Sequence, residues 1–101
     1  MSENLIDLVK IIRDRKNKDE EKSYTSSLLA GGLSKCIDKM EEEFGELKEA
    51  LNDKSNIVHE TADTIYHILV TLEAADVRFE DVLKELENRQ KQSGIEEKNN
   101  R

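Results

Sequence analysis

The sequence predicts an all-α protein, a compact bundle of about four helices completed by pairing with a second copy. Three observations predict it. Apolar residues recur at alternating three- and four-residue intervals along most of the chain, the period of a helix with one buried face. The segments between these stretches are short and polar, as in a bundle of neighbouring helices. One predicted helix is apolar on most of its circumference, which a small chain cannot cover alone. The chain has no proline and no tryptophan, and nothing in it reads as a sandwich or a barrel.

The first helix is predicted over residues 4–16, where Leu5, Leu8, Val9 and Ile12 fall on one face. The polar run NKDEEKSYT breaks this pattern and reads as a loop. In SYTSSLLAGGLSKC, Ser23 or Thr25 can cap a short turn, and the pair Gly31-Gly32 weakens any helix there. From Leu33 the pattern is clear: Leu33, Ile37, Met40, Phe44, Leu47 and Leu51 form the stripe of a second helix over residues 33–51 and hold it against the core. Gly45 lies off that stripe and suggests close approach of another backbone or of a ligand. After the turn NDKSN, a third helix is predicted over 56–76. Its main apolar face carries Ile57, Thr61, Ile65, Ile68, Leu69, Leu72 and Ala75, and a second face carries Tyr66, Val70, Ala74 and Val77. A fourth follows over 78–91 with Phe79, Val82, Leu83 and Leu86, and a polar tail occupies 92–101.

With 101 residues, the chain is expected to form one domain over 1–101. It is 36% hydrophobic and 39% charged, with a net charge of -7. That balance offers no basic footprint for nucleic acid. The single cysteine, Cys36, excludes a disulfide framework within the chain and fits a reducing compartment. The opening MSENLIDLVKII carries Glu3 and Asp7 and has no long apolar core, so it predicts neither a signal peptide nor a membrane span. The expectation is a cytoplasmic protein.

The chemistry is suggested by two pairs of acids. Glu43 and Glu46 lie three residues apart on the second helix, and Glu60 and Asp63 three apart on the third. That spacing puts both members of a pair on one side of a helix. Clustered glutamates are most often solvated surface, but the side bearing Glu60 and Asp63 continues as His67, Val70 and Ala74, which a purely solvated face would not. Two such pairs on adjacent helices supply four carboxylates, which resist common ionisation unless a cation joins them. All-oxygen ligands point to Mg²⁺, with Mn²⁺ as a possible substitute, rather than zinc. Mg²⁺ commonly binds substrate phosphates as well, so the constellation points to phosphoryl chemistry.

The blocks SYTSSLLAGG, KMEEEFGELKEA, HETADTIYHILVTLEAADVRFEDVLKELENR and SGIEEKNNR occur in order. Together they resemble the phosphoribosyl-ATP pyrophosphatases of histidine biosynthesis, within the all-α nucleotide pyrophosphatase superfamily that includes the MazG-like proteins. The resemblance runs over residues 5–101. It implies a MazG-like helical fold, a homodimer with active sites close to the subunit interface, and Mg²⁺-dependent hydrolysis of phosphoribosyl-ATP to phosphoribosyl-AMP and pyrophosphate. The metal pattern Glu-x-x-Glu then Glu-x-x-Asp falls on Glu43, Glu46, Glu60 and Asp63. Glu42, the additional family glutamate, and Glu46 are implied as candidates to orient or deprotonate the attacking water. Lys39, Tyr24, His67, Lys98 and Arg101 are implied as substrate contacts. The sequence departs from the family at Met40 and Glu41, where a small residue and glycine are common, and at Phe44, where alanine is common; Gly45 is also unusual. Glu41 and Glu49 carry no implied role. A MazG-like hydrolase of nucleoside triphosphates would use the same carboxylates, but the flanking blocks favour the histidine-pathway enzyme. A fused cyclohydrolase domain is absent from this sequence, so phosphoribosyl-AMP cyclohydrolase is expected to be a separate protein.

Overall fold

The computed structural model describes residues 2–19 and 21–91. Among these are five helices: α1 (Ser2–Arg15), α2 (Tyr24–Ala30), α3 (Gly32–Asp53), α4 (Ile57–Ala74) and α5 (Phe79–Gln90). The ambiguous stretch before Leu33 is therefore a helix of its own, one more than expected. Ser23 is its N-cap, its side-chain oxygen accepting from the Ser26 amide at 3.2 Å. Gly31 lies between α2 and α3, and Gly32, the first residue of α3, has φ +88°, a left-handed conformation that side chains rarely adopt. Residues 92–101, with Lys98 and Arg101, lie outside the described residues.

α3 and α4 form an antiparallel hairpin joined by residues 54–56, where Lys54 and Asn56 both take left-handed backbone angles. Two hydroxyls set its register. Thr71 donates to the His67 carbonyl of its own helix at 2.7 Å and lies 3.3 Å from the Cys36 carbonyl. Thr64 donates to the Glu60 carbonyl at 2.7 Å and lies 3.3 Å from the Glu43 carbonyl. With 36 facing 71 and 43 facing 64, position 46 comes level with 61, beside Glu60. α4 closes with Asp76 at φ 60° and the Val77 amide donating back to the Leu72 carbonyl at 2.9 Å, a Schellman-type end.

The core lies at one end of this hairpin. Val9 and Ile12 from α1, Leu28 from α2, Cys36 from α3, and Leu69 and Val70 from α4 are buried together. The face expected for α1 is thus the face it buries. α5 contributes Phe79 to the edge of the core and has no buried residue. It is fastened instead by charge: Arg13 reaches both carboxylate oxygens of Glu80 at 3.0 and 3.3 Å, and its Nε lies 3.5 Å from Glu73. A second tie runs from Lys16 to Asp76 at 2.6 Å.

The helix faces depart from the sequence reading. On α3 the residues packed inward are Cys36 and Ala50. The apolar stripe looks outward: Leu33, Ile37, Phe44 and Leu51 are 41–52% exposed, so Phe44 does not hold the helix against the core. On α4 the buried positions are Thr64, His67, Leu69, Val70 and Thr71, while Ile65 and Ala75 of the expected main face are exposed. The physical reason is size. Small side chains and hydroxyls let α3 and α4 approach closely, and the bulky residues remain on the outer surface of the pair. Gly45 has nothing within 4 Å of where a Cβ would stand, so it permits no close approach within this chain.

Candidate active site

Away from the core, the facing sides of α3 and α4 carry carboxylates. The hairpin register brings Glu43 and Glu46 opposite Glu60, and one carboxylate oxygen from each lies within 4.8 Å of the others. One oxygen of Glu43 and one of Glu60 are buried without a hydrogen-bond partner. Buried carboxylate oxygens are normally satisfied, so two orphans in one acidic group leave a position for a partner that the described residues do not supply. Asp63 adjoins the group: His59, Glu60 and Asp63 also offer ligand atoms within 4.8 Å of one another, and the Asp63 carboxylate lies 3.2 Å from His59 Nε2. The donor set is therefore oxygen-rich, with one imidazole at its rim.

The electrostatics are those of a site short of positive charge. Burial pushes the Glu43 carboxyl up, and the neighbouring Glu46 and Asp63 add to the effect, while His67 opposes it. Burial also raises Glu60, again with Glu46 and Asp63 adding and His59 opposing. A divalent cation would reverse this by favouring the ionised forms. Alongside lies an open cleft of about 280 Å³, bounded by Glu46, Glu49, Asp53, Ser55, Asn56 and Glu60. Glu49, to which the sequence assigned no role, is part of that cleft wall.

The remaining candidates fall in two places. Lys39 and Glu42 pair with each other at 3.4 Å on α3. Glu42 is exposed and stands outside the group of converging carboxylates. Tyr24 and His67 meet on the other flank. His67 is buried, its Nδ1–H donating to the Asp63 carbonyl at 2.9 Å and its Nε2 lying 3.4 Å from the Tyr24 hydroxyl. Both ring nitrogens are thus engaged inside the fold. Two residues that support the site were not singled out by sequence: Thr64, which ties α4 to the Glu43 carbonyl, and His59. The signal for the first was a polar row, Thr64, His67 and Thr71, at helical spacing within an apolar helix.

A helix hairpin that gathers carboxylates with buried, unpartnered oxygens defines an all-α protein with a candidate cation site. The family model described as phosphoribosyl-ATP pyrophosphohydrolase matches residues 5–90, and the chain belongs to that family of hydrolases. Curated relatives agree over nearly full length. A phosphoribosyl-ATP pyrophosphatase of Rhizobium etli (strain CIAT 652) is 42% identical over 100 residues, covering 97% of this chain and 94% of that protein. One of Ruegeria pomeroyi is 47% identical over 96 residues, covering 93% and 91%. The histidine biosynthesis bifunctional protein HisIE of Helicobacter hepaticus is 50% identical over 99 residues, which span 96% of this chain and 43% of that longer protein. No described helix is long and apolar enough to cross a membrane.

Proposed function

We propose that this protein hydrolyses the α–β phosphoanhydride of phosphoribosyl-ATP, giving phosphoribosyl-AMP and pyrophosphate for histidine biosynthesis, and that it requires Mg²⁺ or, in its place, Mn²⁺. The observation that carries this reading is the convergence of Glu43, Glu46 and Glu60 with two orphaned carboxylate oxygens, in a chain of this family. Glu43, Glu46, Glu60 and Asp63 would hold the cation. When bound, such a cation supplies charge against the phosphate oxygens and acidifies a water.

The chain's own residues do the rest. Glu46, at the boundary between the carboxylate group and the open cleft, is placed to orient the attacking water or take its proton. Glu42 holds Lys39 on the exposed side of α3, where the ammonium is available as a point charge for phosphate. Lys98 and Arg101 are proposed as further phosphate contacts from the tail.

Two copies are proposed to pair through the outward stripe of Leu33, Ile37, Phe44 and Leu51. A contiguous row of bulky exposed residues on one helix supports this, since monomers rarely leave one bare. The compartment is assigned to the cytoplasm.

Pyrophosphate release from phosphoribosyl-ATP, measured with and without Mg²⁺ and repeated on Glu60→Gln, tests the function. Turnover is expected to need the metal and to fall at least 100-fold in the variant. Turnover of dNTPs alone, or turnover indifferent to both changes, would reject the assignment.

A further inference from the structure

The chain has only four aromatic residues, two tyrosines and two phenylalanines. Both tyrosines gather around His67, on the flank of the carboxylate group. The rings of Tyr24 and Tyr66 stack, with centroids 6.4 Å apart and planes 19° from parallel. His67 meets both edge-on, at 6.2 and 5.0 Å. The polar ends are tied as well. Tyr66 shares a hydrogen bond with Thr25 on α2, and the Tyr24 hydroxyl lies 3.4 Å from His67 Nε2.

These ties hold Tyr24 in place without hiding it. His67 is 5% exposed, whereas Tyr24 is 58% exposed. A large ring fixed by a buried partner and left open to solvent contributes little to the core. It is suited to stack a flat ligand, since the cost of ordering it is already met. The ring is also linked to the proposed phosphate end of the site. Its partner His67 donates to the carbonyl of Asp63, one turn along α4.

We propose that the open face of Tyr24 is the seat of the substrate's purine, with His67 and Tyr66 as positioning residues behind it. This rests on the functional reading above and adds where the base lies: on α2, with the phosphates directed to the carboxylates between α3 and α4. Base–aromatic stacking is sequence-tolerant and is worth about tenfold in affinity.

Calorimetric titration of the full chain in Mg²⁺ with AMP and, separately, with ribose 5-phosphate tests the seat without turnover. The wild type is expected to bind AMP about tenfold more tightly than ribose 5-phosphate. Tyr24→Leu should lose that preference while keeping its affinity for ribose 5-phosphate. Tyr24→Phe, which keeps the ring, should retain most of it. Equal wild-type affinities, a preference that survives Tyr24→Leu, or a parallel loss of both ligands would each overturn the proposal. Failure of wild-type protein to release pyrophosphate from phosphoribosyl-ATP would instead reject the functional reading, so the two can fail separately.

Discussion

Thr64 and Glu43 are joined across the α3–α4 hairpin: the Thr64 hydroxyl lies 3.3 Å from the Glu43 main-chain carbonyl and 2.7 Å from the carbonyl of Glu60 on its own helix. One buried hydroxyl thus touches the backbone of a proposed ligand residue on each helix. Thr64→Val preserves shape and removes the donor. The expected loss is about 1 kcal/mol of stability, the net worth of one buried hydrogen bond. Metal affinity, followed by Mn²⁺ titration, should weaken as well, because the two helices lose a register pin beside the carboxylates. A variant that lost stability with unchanged Mn²⁺ affinity would confine Thr64 to packing.

The raised carboxyls of Glu43 and Glu60 predict a pH dependence with a definite sign. Both have folded values above the ordinary 4.5. The folded protein therefore holds protons that the unfolded chain has released. Their contribution to stability is present below about pH 4.5 and is lost as pH rises through the folded values. At neutral pH these ionised groups strain the metal-free protein. Glu60→Gln should raise the melting temperature of the chelator-treated protein at pH 7 and abolish the further rise on adding Mg²⁺ or Mn²⁺. Thermal melts in EDTA and in metal check both halves.

Such a site is half legible in sequence. The spacing of Glu43 with Glu46, and of Glu60 with Asp63, selects the side chains that the structure brings to one region, because helix geometry is local. What spacing cannot give is the register between helices, which depends here on Thr64 and Thr71 meeting α3 carbonyls. For the same reason spacing does not say what covers the stripes. A row of leucine, isoleucine and phenylalanine reads as core whether its cover is the same chain or another. α3 buries Cys36 and Ala50 and leaves Phe44 45% exposed. The short α2 was obscured by Gly31-Gly32, which weakens a helix in sequence but here merely ends one and starts the next.

The exposed stripe predicts an oligomer. Phe44 and Ile37 lie on it seven residues, about two helical turns, apart, and a charge at either would face the proposed partner. Phe44→Glu is expected to convert a dimer into a monomer by light scattering at micromolar concentration, without loss of helical circular dichroism. A wild-type monomer across that concentration range would refute pairing through this face.

α5 should respond to acid through Arg13. The guanidinium and the Glu80 backbone amide hold the Glu80 carboxyl down at about 2. A lowered value contributes stability above about pH 4.5 that is lost as pH falls towards 2. Arg13→Leu should remove that part of the pH profile. Melting curves between about pH 2 and 4.5, a range over which the contribution of Glu43 and Glu60 is constant, are expected to be flatter in the variant than in the wild type.

Gly45 gives the last test, one that separates a helix defect from a functional approach site. It lies inside α3, and no positive φ requires a glycine there. Open space surrounds the position where its Cβ would stand. Gly45→Ala should therefore stabilise the fold by about 0.5–1 kcal/mol through helix propensity alone. For a domain of this size that is a rise of about 2–8 °C in melting temperature. Because Gly45 is remote from the α3 face that carries Glu43, turnover should change less than twofold. If a second copy or the substrate packed its backbone against this glycine, the added methyl would instead lower the dimer's stability or raise KM. The sign of the melting shift, measured beside KM, decides between these.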